Sequence, residues 1–209
     1  MNPAVPHEVD ALIDRWRGVA VLPGSTELAT AQSFVLDLCG VLGVPAPHHA
    51  DDYQFERAIT FTHGDGSTSP GRIDCYRRGA FVLEAKKLKP GSAAAFDAAL
   101  LAARAQAEGY ARALPAAEGR PPFVIVADVG RVIELYSEFT RSGGTYVPYP
   151  DPRSHRIALA DLAREEVRDR LRAVWTDPLS LDPSRVAARV TRGIAAQLAE
   201  VAKALEHDG

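Results

Sequence analysis

The segment Gly71–Lys89, GRIDCYRRGAFVLEAKKLK, sets Asp74, Glu84 and Lys86 inside two short apolar runs. Read as extended chain, FVLEAK puts Val82, Glu84 and Lys86 on one face and Phe81, Leu83 and Ala85 on the other. In RIDCY the same alternation puts Asp74 and Tyr76 opposite Ile73 and Cys75. A turn at RRG would pair these strands and stand Asp74 beside Glu84, with Lys86 adjacent. Two carboxylates held together repel, and burying them unpaired is costly. A divalent cation removes that objection. Mg²⁺ takes oxygen ligands, is commonly held by one or two carboxylates and keeps several waters. A neighbouring lysine can orient a water or steady charge on a transferring phosphate. Together these residues suit metal-assisted phosphodiester hydrolysis. The plainer alternative is a solvated strand pair, since E-x-K is short enough to recur by chance.

Three other features bear on that choice. Glu27 lies four residues before Ala31 and seven before Phe34, so it extends an apolar stripe; the helix dipole would also favour a Glu in a first turn. Gln106 and Tyr110, in QAEGY, are one helical turn apart beside Ala103 and Ala107 and could hydrogen-bond to a phosphate or to the carboxylate site; otherwise they are a solvated Gln and a part-buried Tyr. From Gly71 to Pro90 six basic residues (Arg72, Arg77, Arg78, Lys86, Lys87, Lys89) face two acidic ones, a local positive patch suited to a phosphate backbone, or a strand edge kept soluble by charge.

The elements that must position these groups follow from periodicity. HEVDALIDRW and the segment from about Thr26 to Leu42 read as helices, the second capped by Ser25 and ended at Gly43. YQFERAITFT, GRIDCYRR and AFVLEAK read as strands, with a turn at GDGSTSPG. A helix from about Ala93 to Leu114, the strands FVIVAD and RVIELYSEF, a loop at TRSGGTYVPYPDP and two closing helices complete the chain. The order helix–β–β–β–helix–β–β predicts an α/β fold with a mixed central sheet flanked by helices. Residues 1–150 are expected to form this domain and 151–209 a helical tail, whose last helix carries the unmatched apolar face Val186, Val190, Ile194, Leu198, Val201 and Leu205.

The 209 residues carry a formal charge of −3, so no global basic field points to a protein that coats DNA. Cys39 and Cys75 have no metal-ligand spacing and suit core positions in a reducing cytoplasm. No signal-peptide pattern or membrane-length apolar run is present, and a cytoplasmic location without membrane contact is expected.

The ordered set of Glu27, Asp74, Glu84-Ala85-Lys86 and Gln106-xxx-Tyr110 resembles the PD-(D/E)XK nuclease superfamily, in its QxxxY branch. AQSFVLDLCGVLGVPAP, FERAI, ARAQAEGYARALP and WTDPLSLDPSRVAARVTRGIAAQLAEVAKALE narrow this to a likeness with the N-terminal part of type IIL (MmeI-like) restriction–modification proteins. The resemblance implies a Mg²⁺-dependent DNA endonuclease, with Mn²⁺ as a possible substitute. Asp74, Glu84 and the Ala85 carbonyl would be the metal ligands, Lys86 the catalytic lysine, Gln106 and Tyr110 the QxxxY pair, and Glu27 the helix glutamate. Glu56, in FERAI, fits the pattern without a firm role; an ion pair with Arg57 is the simpler reading. The partners implied are double-stranded DNA and a SAM-dependent adenine methyltransferase with a target-recognition part. Neither a methyltransferase glycine motif nor an NPPY-type loop occurs in these residues, so those parts would lie further along a longer chain or on a separate subunit. The rival reading is a nuclease-like fold kept as a catalytically silent DNA-binding or assembly module.

Overall fold

The computed structural model describes residues 6–17, 26–48, 52–88 and 91–207. Helices α1 (Pro6–Trp16) and α2 (Glu27–Leu42) precede strands β1 (Tyr53–Thr62), β2 (Thr68–Arg77) and β3 (Phe81–Lys86). Helix α3 (Ala93–Ala113) then crosses to β4 (Phe123–Asp128), which is followed by β5 (Val132–Ser137), β6 (Val147–Pro148), β7 (Arg156–Ala158), α4 (Glu165–Thr176) and α5 (Pro183–His207). Among the described residues the sheet has seven strands in the order β1-β2-β3-β4-β5-β6, with β7 also on β5. Only β3 and β4 run parallel, because α3 is the long connection such a pair requires. The mixed α/β architecture expected from the sequence is the one found.

Each face of the sheet buries its own core. Phe34, Leu38 and Leu42 of α2, Trp16 of α1 and Trp175 of α4 cover Tyr53, Phe81 and Leu83 on one side. Leu100, Ala103, Ala107 and Tyr110 of α3 cover Val82, Val124 and Val126 on the other. Helix α2 starts at Thr26, whose side chain accepts from Ala29 N, and stops at Gly43 in the left-handed conformation (φ 64°). The sequence favoured Ser25 as the cap; Ser25 lies outside the described residues. Both cysteines are buried and free, as their apolar surroundings implied.

Three local expectations are corrected. Strand β2 begins at Thr68, inside what reads as a turn, and carries Pro70; the β1–β2 arm extends beyond β3, so the missing amide of Pro70 costs no bond to that strand. The loop TRSGGTYVPYPDP contains β6, and β7 follows it in the stretch leading to α4; both are too short to leave a periodicity. The division drawn at residue 150 runs between two strands that pair with β5, and Ile157, Leu162, Leu171 and Trp175 fill the same core as α1 and α2. The packed unit therefore extends through α4. Helix α5 lies outside it, with Val190, Ile194 and Leu198 more than half exposed.

Candidate active site

Strands β2 and β3 separate at the candidate residues Asp74 and Glu84. Their ladder runs Arg77–Phe81, Tyr76–Val82 and Cys75–Leu83, and the next rung would pair Asp74 with Glu84. There the Asp74 carboxylate takes over: its Oδ2 accepts from Ala85 N at 2.7 Å. That bond anchors Asp74 at the edge of Glu84. Lys86 Nζ donates to Glu84 Oε1 at 2.6 Å and to Gln106 Oε1 at 3.1 Å, and Gln106 Nε2 donates to the Tyr110 hydroxyl at 2.8 Å. A continuous chain thus joins β3 to α3. The spacing Gln106-xxx-Tyr110 works because residues four apart stand on one side of a helix.

These groups open into a cleft of about 390 Å³. Asp74, Glu84, Ala85, Lys86 and Gln106 line it from β2, β3 and α3, and Glu27 and Thr30 from the first turns of α2. Glu27 belongs to the site's rim but is exposed, so it does not extend the buried stripe of α2. Tyr110 is buried and reaches the site through Gln106. Lys87 also lines the cleft, with Nζ donating to the Val129 carbonyl at 2.8 Å. Alternation assigns Lys87 to the opposite face from Lys86; the cleft lies at the strand end, where both faces meet, so face assignment could not find it. The AKK doublet was the available signal.

The local basic patch is narrower than its composition. Arg77 stacks over the Tyr53 ring at 4.8 Å, and Arg78 lies 3.7 Å from Glu118. Lys89 lies outside the described residues. Arg57 pairs with Glu118 at 2.6 Å and leaves Glu56 to a 3.4 Å contact with Arg72, so the expected Glu56–Arg57 pair does not form.

Electrostatics set Glu84 apart. Its side chain is 3% exposed, and its Oε2 is buried without a hydrogen-bond partner. Burial, then the Asp74 charge, push its pKa from 4.5 up to about 7, with Lys86 opposing the shift. Burial raises Asp74 as well, against the Ala85 amide and Lys86. A raised carboxyl pKa means the folded chain binds this proton more tightly than the unfolded one. Its stabilising contribution is full below pH 4.5 and is lost as pH climbs through about 7. In EDTA, Glu84→Gln should therefore gain on the parent between pH 4.5 and 7, by on the order of 3 kcal/mol, and by no more above that. Urea midpoints at four pH values would check this; a constant difference would contradict it.

The aromatic support beneath Tyr110 depends on one glycine. Phe61 of β1 stacks on Tyr110 at 5.7 Å. A Cβ at Gly71 would sit 2.6 Å from the Phe61 ring and 3.0 Å from that of Tyr110. Gly71→Ala is expected to destabilise the fold by about 1–3 kcal/mol through this overpacking, read by urea unfolding.

The MmeI N-terminal domain family matches residues 7–208, nearly the whole chain. The chain belongs to that family. Membership sets this MmeI-type domain in a DNA-acting restriction–modification context. No curated protein and no solved structure shows significant similarity to it. Among the described residues no helix is long and apolar enough to cross a membrane.

Proposed function

We propose that this MmeI-type domain is a Mg²⁺-dependent DNA endonuclease serving restriction. The observation that carries the reading is the buried Glu84 carboxylate, one oxygen held by Lys86 and the other unpartnered, beside Asp74 in an open cleft. An orphaned, nearly unexposed oxygen next to a second carboxylate is a place that lacks positive charge. Asp74, Glu84 and the Ala85 carbonyl fit a hard oxygen-seeking cation, with Mn²⁺ as the substitute for Mg²⁺. When bound, such an ion supplies charge neutralisation to a transferring phosphoryl group.

The chain's own residues do the rest. An ammonium has three N–H groups. Lys86 uses two on Glu84 and Gln106, which leaves the third for a phosphate oxygen or an attacking water. Gln106, fixed by Tyr110, restricts the lysine to that direction. The first turn of α2 lines the cleft, so the positive end of its dipole lies there, which favours an approaching phosphate. Glu27 at the rim would add an acceptor for water at the same mouth. Water attack in line with the leaving 3′ oxygen would yield a 5′-phosphate.

Double-stranded DNA is the proposed substrate. A SAM-dependent adenine methyltransferase and its target-recognition part are the proposed partners, whether joined to this chain or separate. The exposed stripe Val190, Ile194 and Leu198 on α5 is the apolar face available to them.

The second reading, a silent DNA-binding or assembly module, draws on one observation. Among the described residues no three His, Cys, Asp or Glu side chains stand close enough together to hold a metal ion. Incubating the full chain with supercoiled plasmid in Mg²⁺, Mn²⁺ and EDTA separates the two. Nicking or linearisation in either metal and none in EDTA is expected of the nuclease; intact plasmid in all three, with DNA retained in a gel shift, favours the module.

A further inference from the structure

Glu56, Asp74 and Glu84 fall on one rung across three neighbouring strands. In the β1–β2 pair Phe55 faces Cys75 and Arg57 faces Ile73, so Glu56 stands opposite Asp74. Asp74 in turn precedes Cys75, which faces Leu83, so Glu84 is next on that rung. Neighbouring strands lie about 4.8 Å apart, and three carboxylates in such a row repel.

The rung is also where both strands turn over. Tyr53 and Phe55 of β1 and Cys75 of β2 pack on the α2 side of the sheet. Ile59 and Phe61 of β1 and Ile73 of β2 pack on the α3 side. Strict alternation would keep all of these odd-numbered residues on one face, and the sequence reading placed Ile73 with Cys75 on that basis. The register shows no inserted residue. The reversal coincides with Glu56, whose φ is 56° in the left-handed region. That conformation is costly for a residue with a side chain and is met most cheaply by Gly or Asn. Turning the hairpin over therefore explains the backbone of residue 56 but not its carboxylate.

The carboxylate is badly served by its neighbours. Glu56 Oε1 is buried and has no hydrogen-bond partner, and Oε2 has only the 3.4 Å contact with the exposed Arg72. Across Asp74, the almost fully buried Glu84 leaves Oε2 equally unpartnered. Orphan oxygens thus flank Asp74 on both sides. The charge on Glu56 contributes to the raised pKa values of both Asp74 and Glu84, so all three share one field.

We propose that Glu56 is a positioning residue of the cation site: its carboxylate holds, through water, the hydration shell of a divalent cation seated at Asp74 and Glu84. The inference rests on the nuclease reading above and extends it to a third strand. Among the described residues no three such side chains converge closely enough to hold an ion directly, which is why Glu56 acts through water. Mg²⁺ suits this arrangement because it gives up its waters reluctantly. Groups that orient a metal's surroundings in this way typically change affinity by about 10–100-fold.

The test is Glu56→Asn in the full chain. Asn tolerates the left-handed backbone and removes the charge. Mn²⁺ binding is followed by electron paramagnetic resonance, thermal unfolding in EDTA is measured beside it, and Asp74→Asn is run in parallel. Expected are a fall of about tenfold in Mn²⁺ affinity and a higher unfolding temperature in EDTA, since both strain and repulsion are relieved. Glu56→Asp, which keeps the charge, should recover part of the affinity. Mn²⁺ affinity in Glu56→Asn equal to the parent's would overturn the proposal, and a merely structural Glu56 would give that result. If Asp74→Asn loses Mn²⁺ while Glu56→Asn does not, only the role of Glu56 fails. If the parent binds no Mn²⁺, or Asp74→Asn binds it unchanged, the cation site itself fails and takes the proposal with it.

Discussion

Asp74→Asn should lose cleavage by 10³-fold or more, on the order of the effect expected when one ligand of a catalytic cation is removed, while remaining folded. The substitution is chosen because the asparagine carbonyl can still accept from Ala85 N, the bond that replaces the ladder where β2 leaves β3. Geometry is kept and charge is lost. Removing that charge also relieves Glu84, whose raised pKa owes its second largest contribution to Asp74. The variant should therefore unfold at an equal or higher temperature than the parent in EDTA, and should lose the stabilisation that Mn²⁺ gives the parent. Full activity in Asp74→Asn, or a loss of activity that merely tracks a loss of folded protein, would each argue against the role assigned to it.

Trp175→Ala should cost about 3–5 kcal/mol, as truncations of large buried aromatics do. Trp175 is 1% exposed, its ring centroid lies 4.5 Å from that of Phe81, and its indole N–H donates to the Tyr53 hydroxyl at 2.9 Å. Phe81 opens the strand that carries Glu84 and Lys86, so loss of the indole leaves a cavity beneath β3 and an unfilled acceptor at Tyr53. Removal of residues 183–209 should have little effect on stability by comparison, because the side chains of α5 described from Val190 to Leu198 are exposed. Urea denaturation of the two variants gives the contrast. Equal losses would mean that α5 belongs to the packed unit after all; a small loss for Trp175→Ala would mean that α4 does not.

The candidate set Asp74, Glu84 and Lys86 was legible because polar residues in apolar strand runs break a simple pattern: Glu84 and Lys86 stand out in FVLEAK, and Asp74 in RIDCY. The Gln106–Tyr110 pair was legible because helical spacing fixes which side chains meet. Other features had no local signature. Nothing in FERAI marks Glu56 as left-handed, since residues with that conformation are usually Gly or Asn. The face reversal at its rung defeated the alternation rule for Ile73, and with it the simple picture of Asp74 pointing to one side. Strands β6 and β7, of two and three residues, are set by their partners on β5 rather than by their own composition. Glu27 lines the cleft but is exposed, so the stripe spacing that set it with Ala31 and Phe34 misjudged its burial.

The central claim is that Lys86, held by Glu84 and Gln106, works with a cation at Asp74 and Glu84 to hydrolyse DNA. It is tested most directly by incubating supercoiled plasmid in Mg²⁺ with the parent and with Lys86→Ala at equal concentration of folded protein. The account predicts cleavage by the parent and a loss of about 10³-fold or more in the variant, which should still bind Mn²⁺. Cleavage by Lys86→Ala at the parent's rate would contradict it.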